Sequence, residues 1–84
     1  MNFKTISTEL VKEGYSTQLH TSINSLTIWI DEKGKPKKES YSRVEQIDNK
    51  MYFVYFIGQI PVEKEFKSIE ELIKFVKQVF PIEE

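Results

Sequence analysis

The feature that most constrains this chain is the run Met51-Tyr52-Phe53-Val54-Tyr55-Phe56-Ile57, seven large apolar or aromatic residues in succession. Aromatic and β-branched side chains suit the pleated backbone of a strand. Successive side chains point to opposite faces, so a strand that is apolar at both parities has two faces to cover. If one face lies on helices, the other still presents a row of large rings.

The segments around this run supply the rest of a small sheet. Tyr15 to His20 and Ser25 to Asp31 alternate β-branched or aromatic residues with polar ones, and the polar stretch Thr21-Ser22-Ile23-Asn24 separates them. Tyr41 to Ile47 and Met51 to Ile57 flank Asp48-Asn49-Lys50, whose Asp and Asn tolerate the backbone of a tight hairpin turn. Gly58-Gln59 places glycine first in a type II′ turn, so Ile60 to Phe66 returns as a fifth strand, held at an edge by Pro61.

Helices bracket the strands. Phe3, Ile6, Leu10 and Val11 recur at helical spacing behind Asn2 as cap, and Gly14 ends the helix near Glu13. Ser68-Ile69-Glu70-Glu71 is a capping box, followed by Leu72, Ile73, Val76 and Phe80 at helical spacing and stopped by Pro81. The expected fold is α+β: an antiparallel four- or five-stranded meander with one N-terminal and one C-terminal helix, in a single domain over residues 1–84.

Register divides the apolar residues. With Leu26, Ile28, Ile30 and Val44 facing the core, Met51, Phe53, Tyr55 and Ile57 are expected to point inward and Tyr52, Val54 and Phe56 outward, where they join Trp29, Tyr41 and Arg43. A slip of one residue would exchange the two sets.

Composition narrows the function classes. Twelve Lys+Arg against thirteen Asp+Glu leave a net charge of -1, without the global basic field of a protein built to hold phosphate backbone. The chain has no cysteine, which removes disulfides, thiolate metal sites and cysteine nucleophiles and agrees with a reducing compartment, the cytoplasm by default. Neither a signal peptide nor a membrane helix is expected, because no apolar run is long enough. The single histidine, His20, lies at a strand end, and no Gly-x-Ser-x-Gly, Walker or dinucleotide-binding pattern occurs. An enzyme, a metal site and a bound cofactor are therefore not expected. Glu63, Glu65, Glu70 and Glu71 read as a solvated edge and an acidic helix start rather than as a catalytic pair.

Two candidate sites remain. Trp29, Tyr41, Arg43, Tyr52, Val54 and Phe56 have the composition of a protein-binding hot spot, since rigid rings bury much area at low entropic cost. The plainer alternatives are a helix on each sheet face, which would make the row ordinary core, or a symmetric dimer hiding it. The second candidate is the stretch Asp31 to Glu39, a solvated loop by its glycine, proline and seven charges. Its Lys33, Lys35, Lys37 and Lys38 could follow phosphates while the sheet aromatics stack bases. A solvated hairpin loop is the plainer reading, as Glu32 and Glu39 bracket the lysines. A small-molecule pocket between helices and sheet is a third class, with no sequence feature in its favour.

The layout resembles the double-stranded RNA-binding domain, but that family begins its last helix with lysines, where this chain has the acidic Ser68-Ile69-Glu70-Glu71. Glu13-Gly14-Tyr15, Asn24-Ser25-Leu26-Thr27 and Asp31-Glu32-Lys33-Gly34 resemble the opening of small phage-encoded anti-CRISPR proteins, inhibitors of the Cas9 nuclease. Such inhibitors present acidic, DNA-like surfaces, whereas this loop is rich in lysine. The resemblance implies a non-enzymatic, partner-blocking protein from a mobile element and transfers no inhibitory residue.

Overall fold

The computed structural model describes residues 2–82. Along the chain come helix α1 (Phe3–Lys12), strands β1 (Ser16–His20), β2 (Ser25–Trp29), β3 (Asp31–Glu32), β4 (Lys35–Pro36), β5 (Ser42–Ile47), β6 (Lys50–Ile57) and β7 (Ile60–Phe66), and helix α2 (Ile69–Val79). Single 3₁₀ turns occupy Thr21–Ile23 and Lys38–Ser40.

Local chemistry sets these boundaries. The Asn2 side chain accepts from the Lys4 amide at 2.7 Å, satisfying a donor that the first turn of α1 leaves open. Gly14, at φ +101°, turns the chain out of that helix through a conformation other residues rarely adopt. Ser68 Oγ accepts from the Glu71 amide at 3.2 Å, the serine half of the capping box. Asp48 and Asn49 both have positive φ, 51° and 65°, the signature of a type I′ hairpin turn. At Gly58-Gln59 only the glycine does, at 64°, which is the type II′ form.

Five strands form one antiparallel sheet in the order β1-β2-β5-β6-β7, a meander in which the fifth strand is fully paired from Met51–Phe66 to Ile57–Ile60. Both helices lie on one face: α1 packs over β1, α2 over β7, and the helices touch each other. Ile6 and Leu10 of α1 and Leu72 and Val76 of α2 close over Leu26, Ile28, Val44, Met51, Phe53 and Phe66. Phe53, without exposed surface, meets Phe75 and Phe80 edge-on at 5.9 and 6.5 Å, geometry that aromatic quadrupoles favour. Burying such a ring contributes about 2–3 kcal/mol.

Two inward expectations are corrected. Val11 is 55% exposed, because it lies on the side of α1 away from α2, by the edge strand β1. Ile57 has inward parity but is exposed with its partner Ile60, because the β6–β7 hairpin runs beyond the last pair with β5, Arg43–Val54.

The lysine stretch is also more ordered than a loop. Lys33 and Gly34 take φ of 54° and 79° and join β3 to β4 in a type I′ hairpin. Its base is closed by Lys37 N donating to Ile30 O at 2.8 Å. Ser40 Oγ accepts from Ile30 N at 2.8 Å and donates to Lys37 O at 2.6 Å, tying the hairpin to the sheet.

Candidate functional site

The sheet face opposite the helices is built by parity. Outward positions of β2, β5 and β6 carry Thr27 and Trp29, Arg43 and Glu45, and Tyr52, Val54 and Phe56, while none of these side chains belongs to the core. No helix covers this face among the described residues, since both pack on the other side.

Register aligns the aromatics into one row. Ser16 pairs with Trp29 and Phe56 with Pro61. Extending the β2–β5 and β5–β6 registers by one step on one face sets Tyr41 between Trp29 and Phe56. The Trp29 and Tyr41 rings stack with centroids 5.8 Å apart and planes at 24°. Trp29 Nε1 donates to Asp31 Oδ1 at 3.1 Å, and Ser16 Oγ donates to the other oxygen of that carboxylate at 2.6 Å. The indole is therefore held at its polar edge while part of its surface stays in water.

The next row is polar except at Val54. It runs Gln18, Thr27, Arg43, Val54, Glu63, and Val54 is only 4% exposed although no helix reaches it. Arg43 and Glu63 flank it on neighbouring strands and Tyr52 and Phe56 along its own. Arg43 is engaged by Glu45 in a same-strand ion pair, exposed enough to add little stability. The third row is His20, Ser25, Glu45, Tyr52 and Glu65. His20 Nε2 lies 3.1 Å from Thr27 Oγ1, a local partner for the lone imidazole.

The structure thus brings Trp29, Tyr41, Arg43, Tyr52, Val54 and Phe56 onto one face, with Phe56 44% exposed and Val54 buried among its neighbours. Asp31, Pro61, Glu63 and Glu65 also belong to this face and were missed in the sequence. The alternation in β7 that turns Glu63 and Glu65 outward and Lys64 inward was the available signal. Lys64 Nζ instead stands 4.3 Å from the Phe75 ring centroid, a cation–π contact at the border of the core.

Lys33, Lys35, Lys37 and Lys38 are all exposed on the β3–β4 hairpin and its flank. They share it with Asp31, Glu32 and Glu39, so the cationic surplus of residues 31–39 is one charge. Among the described residues no group of three or more His, Asp or Glu side chains converges in metal-binding geometry. No helix among them is long and apolar enough to cross a membrane.

Concavities lie away from the aromatic row. A groove of about 700 Å³ separates α1 from α2 along Thr5, Glu9, Ile69 and Ile73, and a cleft of about 490 Å³ runs between the base of the lysine hairpin and Phe80. Tyr15, buried near this end, donates through its hydroxyl to Phe80 O at 2.5 Å. Desolvation, with the neighbouring Glu13 carboxylate second, raises the Tyr15 phenol above its ordinary pKa.

No family model matches the chain, and comparison with curated proteins and with solved structures gives no significant match.

Proposed function

We propose that the protein is a non-enzymatic binding module that docks a partner protein on the helix-free face of its sheet. The observation that supports this most is the row Trp29, Tyr41, Phe56 and Pro61, set across four neighbouring positions of the sheet on a face that the fold does not use for its own core. Rings pre-stacked and held by Asp31 lose little freedom on binding, and their burial supplies affinity without further ordering. Val54, buried in the adjoining row, adds apolar surface beside them, and Arg43, Glu45, Glu63 and Glu65 border the rings on that side as polar groups able to select among partners. A blocking role toward that partner is the kind of activity that the resemblance to small phage-encoded anti-CRISPR proteins implies, and the cytoplasm is the compartment a cysteine-free chain of this kind suits.

Nucleic-acid binding is the alternative, favoured by one observation: the hairpin carrying the four lysines is rooted beside Trp29. Against it stand the near-cancellation of charge within residues 31–39 and the outward Glu63 and Glu65, which repel phosphate from the same face.

The test immobilises the protein and exposes it to extract of the cells in which it is made. Trp29→Ala and Phe56→Ala should lose a protein that the wild type retains, while replacement of all four lysines by glutamate keeps it. Retention unchanged by both aromatic substitutions would remove the proposed face. Loss with the lysine variant alone, together with retention of a labelled single-stranded oligonucleotide at low salt, would move the function to nucleic acid.

A further inference from the structure

The two edges of the sheet are unequal. On β7 the edge carries Pro61, which cannot donate a ladder hydrogen bond, then Glu63, Lys64 and Glu65, with Lys64 on the inward face. Self-pairing of β7 about Lys64 would put Glu63 against Glu65 and lysine against lysine, and pairing about Glu63 would oppose two carboxylates. These are the devices by which edge strands avoid one another. The edge strand β1 reads Ser16-Thr17-Gln18-Leu19-His20, with no proline and no lysine or carboxylate, and it pairs with β2 residue for residue without a bulge.

Next to this edge lie two exposed apolar side chains. Leu19 is 37% exposed although its parity is inward. Ser7 Oγ lies 2.6 Å from Thr17 Oγ1, which turns the Ser7 side of α1 toward β1. Val11, one turn further on, shares that side and is the exposed residue left over from the helix's apolar set. The opposite side, Thr5, Glu9 and Glu13, lines the groove against α2.

We propose that β1 pairs with β1 of a second copy, antiparallel about a two-fold axis through Gln18. Only this centre pairs all five residues of both strands. It sets Thr17 opposite the second copy's Leu19 and Ser16 opposite the second copy's His20, so no two like charges face each other. Ser16 holds the Asp31 carboxylate, which places the imidazole beside an anion instead of another imidazole. The α1 helices of the two copies then lie side by side on one face of the joined sheet, with Val11 and Leu19 at the seam between them. The occupant is a second copy because the register is self-complementary, as an isologous contact must be. The product is one continuous sheet of ten strands, five from each chain, with both helix-free faces on the same side. On the docking reading of that face, which this inference extends but does not require, the dimer displays two aromatic rows to one partner surface and gains avidity.

Light scattering behind size-exclusion chromatography tests this across a concentration series. The wild type should reach twice the mass of one chain, and Gln18→Lys and Gln18→Glu, each folded by circular dichroism, should remain monomers because like charges meet on the axis. Mixed in equal amounts, the two variants should recover the doubled mass. Glu63→Lys on the opposite edge should leave the doubled mass intact. A wild type that stays monomeric to about 1 mM, a range spanning weak association, would overturn the proposal. So would a dimer that survives both Gln18 substitutions, and one split by Phe56→Ala instead would assign self-association to the aromatic face, leaving β1 a free edge.

Discussion

The indole of Trp29 lies on the ring of Tyr41, centroids 5.8 Å apart, with its Nε1 proton on Asp31. The contact joins β2 to the residue preceding β5 on the side of the sheet that has no helix.

Stacking of this kind is worth about 0.5–1.5 kcal/mol beyond the area buried. A double-mutant cycle of Trp29→Ala and Tyr41→Ala, followed by urea unfolding, should return a coupling in that range, with both single variants folded. Coupling near zero would mean that the rings are not held against each other in solution.

Tyr15 ties the end of α1 to the end of α2 through Phe80 O. Its phenol is raised above the ordinary value, first by desolvation and second by Glu13, so the native state holds the proton more tightly than the unfolded chain. The resulting stability is complete below about pH 10, the unfolded value, and is lost as pH rises from there through the raised native one. Tyr15→Phe should cost about 1 kcal/mol at neutral pH. It should also flatten the alkaline loss of stability in urea titrations from pH 8 to pH 11. An alkaline limb unchanged by the substitution would place its origin elsewhere.

Gly14 meets two constraints at once. Its φ is +101°, and a Cβ there would stand 2.9 Å from Ile82 Cδ1. Gly14→Ala should destabilise by about 1–2 kcal/mol from the backbone strain. Because Cδ1 is the far end of a flexible side chain, adding Ile82→Ala should recover only a minor part of the loss. Full recovery would make the steric contact, not the dihedral angle, the dominant cost.

Ser42 faces inward opposite Ile28, and its hydroxyl is buried without a hydrogen-bond partner among the described residues. A buried unpaired hydroxyl costs about 1–3 kcal/mol, part of which its removal returns. Ser42→Ala should raise stability by about 0.5–1 kcal/mol, read as a higher urea midpoint at constant slope. A lower midpoint would reveal a partner for that hydroxyl in solution.

The caps, turns and strand alternation of this chain were legible in its sequence because each is a local property. Asn2 and Ser68 satisfy amides two or three residues away, Gly14 and Gly58 supply positive φ where the chain must turn, and Asp48-Asn49 fixes the register of β5 on β6. From that register the outward set of Tyr52, Val54 and Phe56 followed directly, as did the company of Trp29, Tyr41 and Arg43.

What the tertiary structure decided was coverage, which depends on residues far apart in the chain. Alternation told which side chains share a face, and economy of packing put both helices on one of them, but neither told that Val54 would be buried on the other. The position of α1 along β1 left Val11 in water, and Ser40 joined Ile30 to Lys37 to convert a charged loop into a fixed hairpin. Burial is the sum of neighbours brought in from across the chain, whereas a cap or a turn needs only the next few residues.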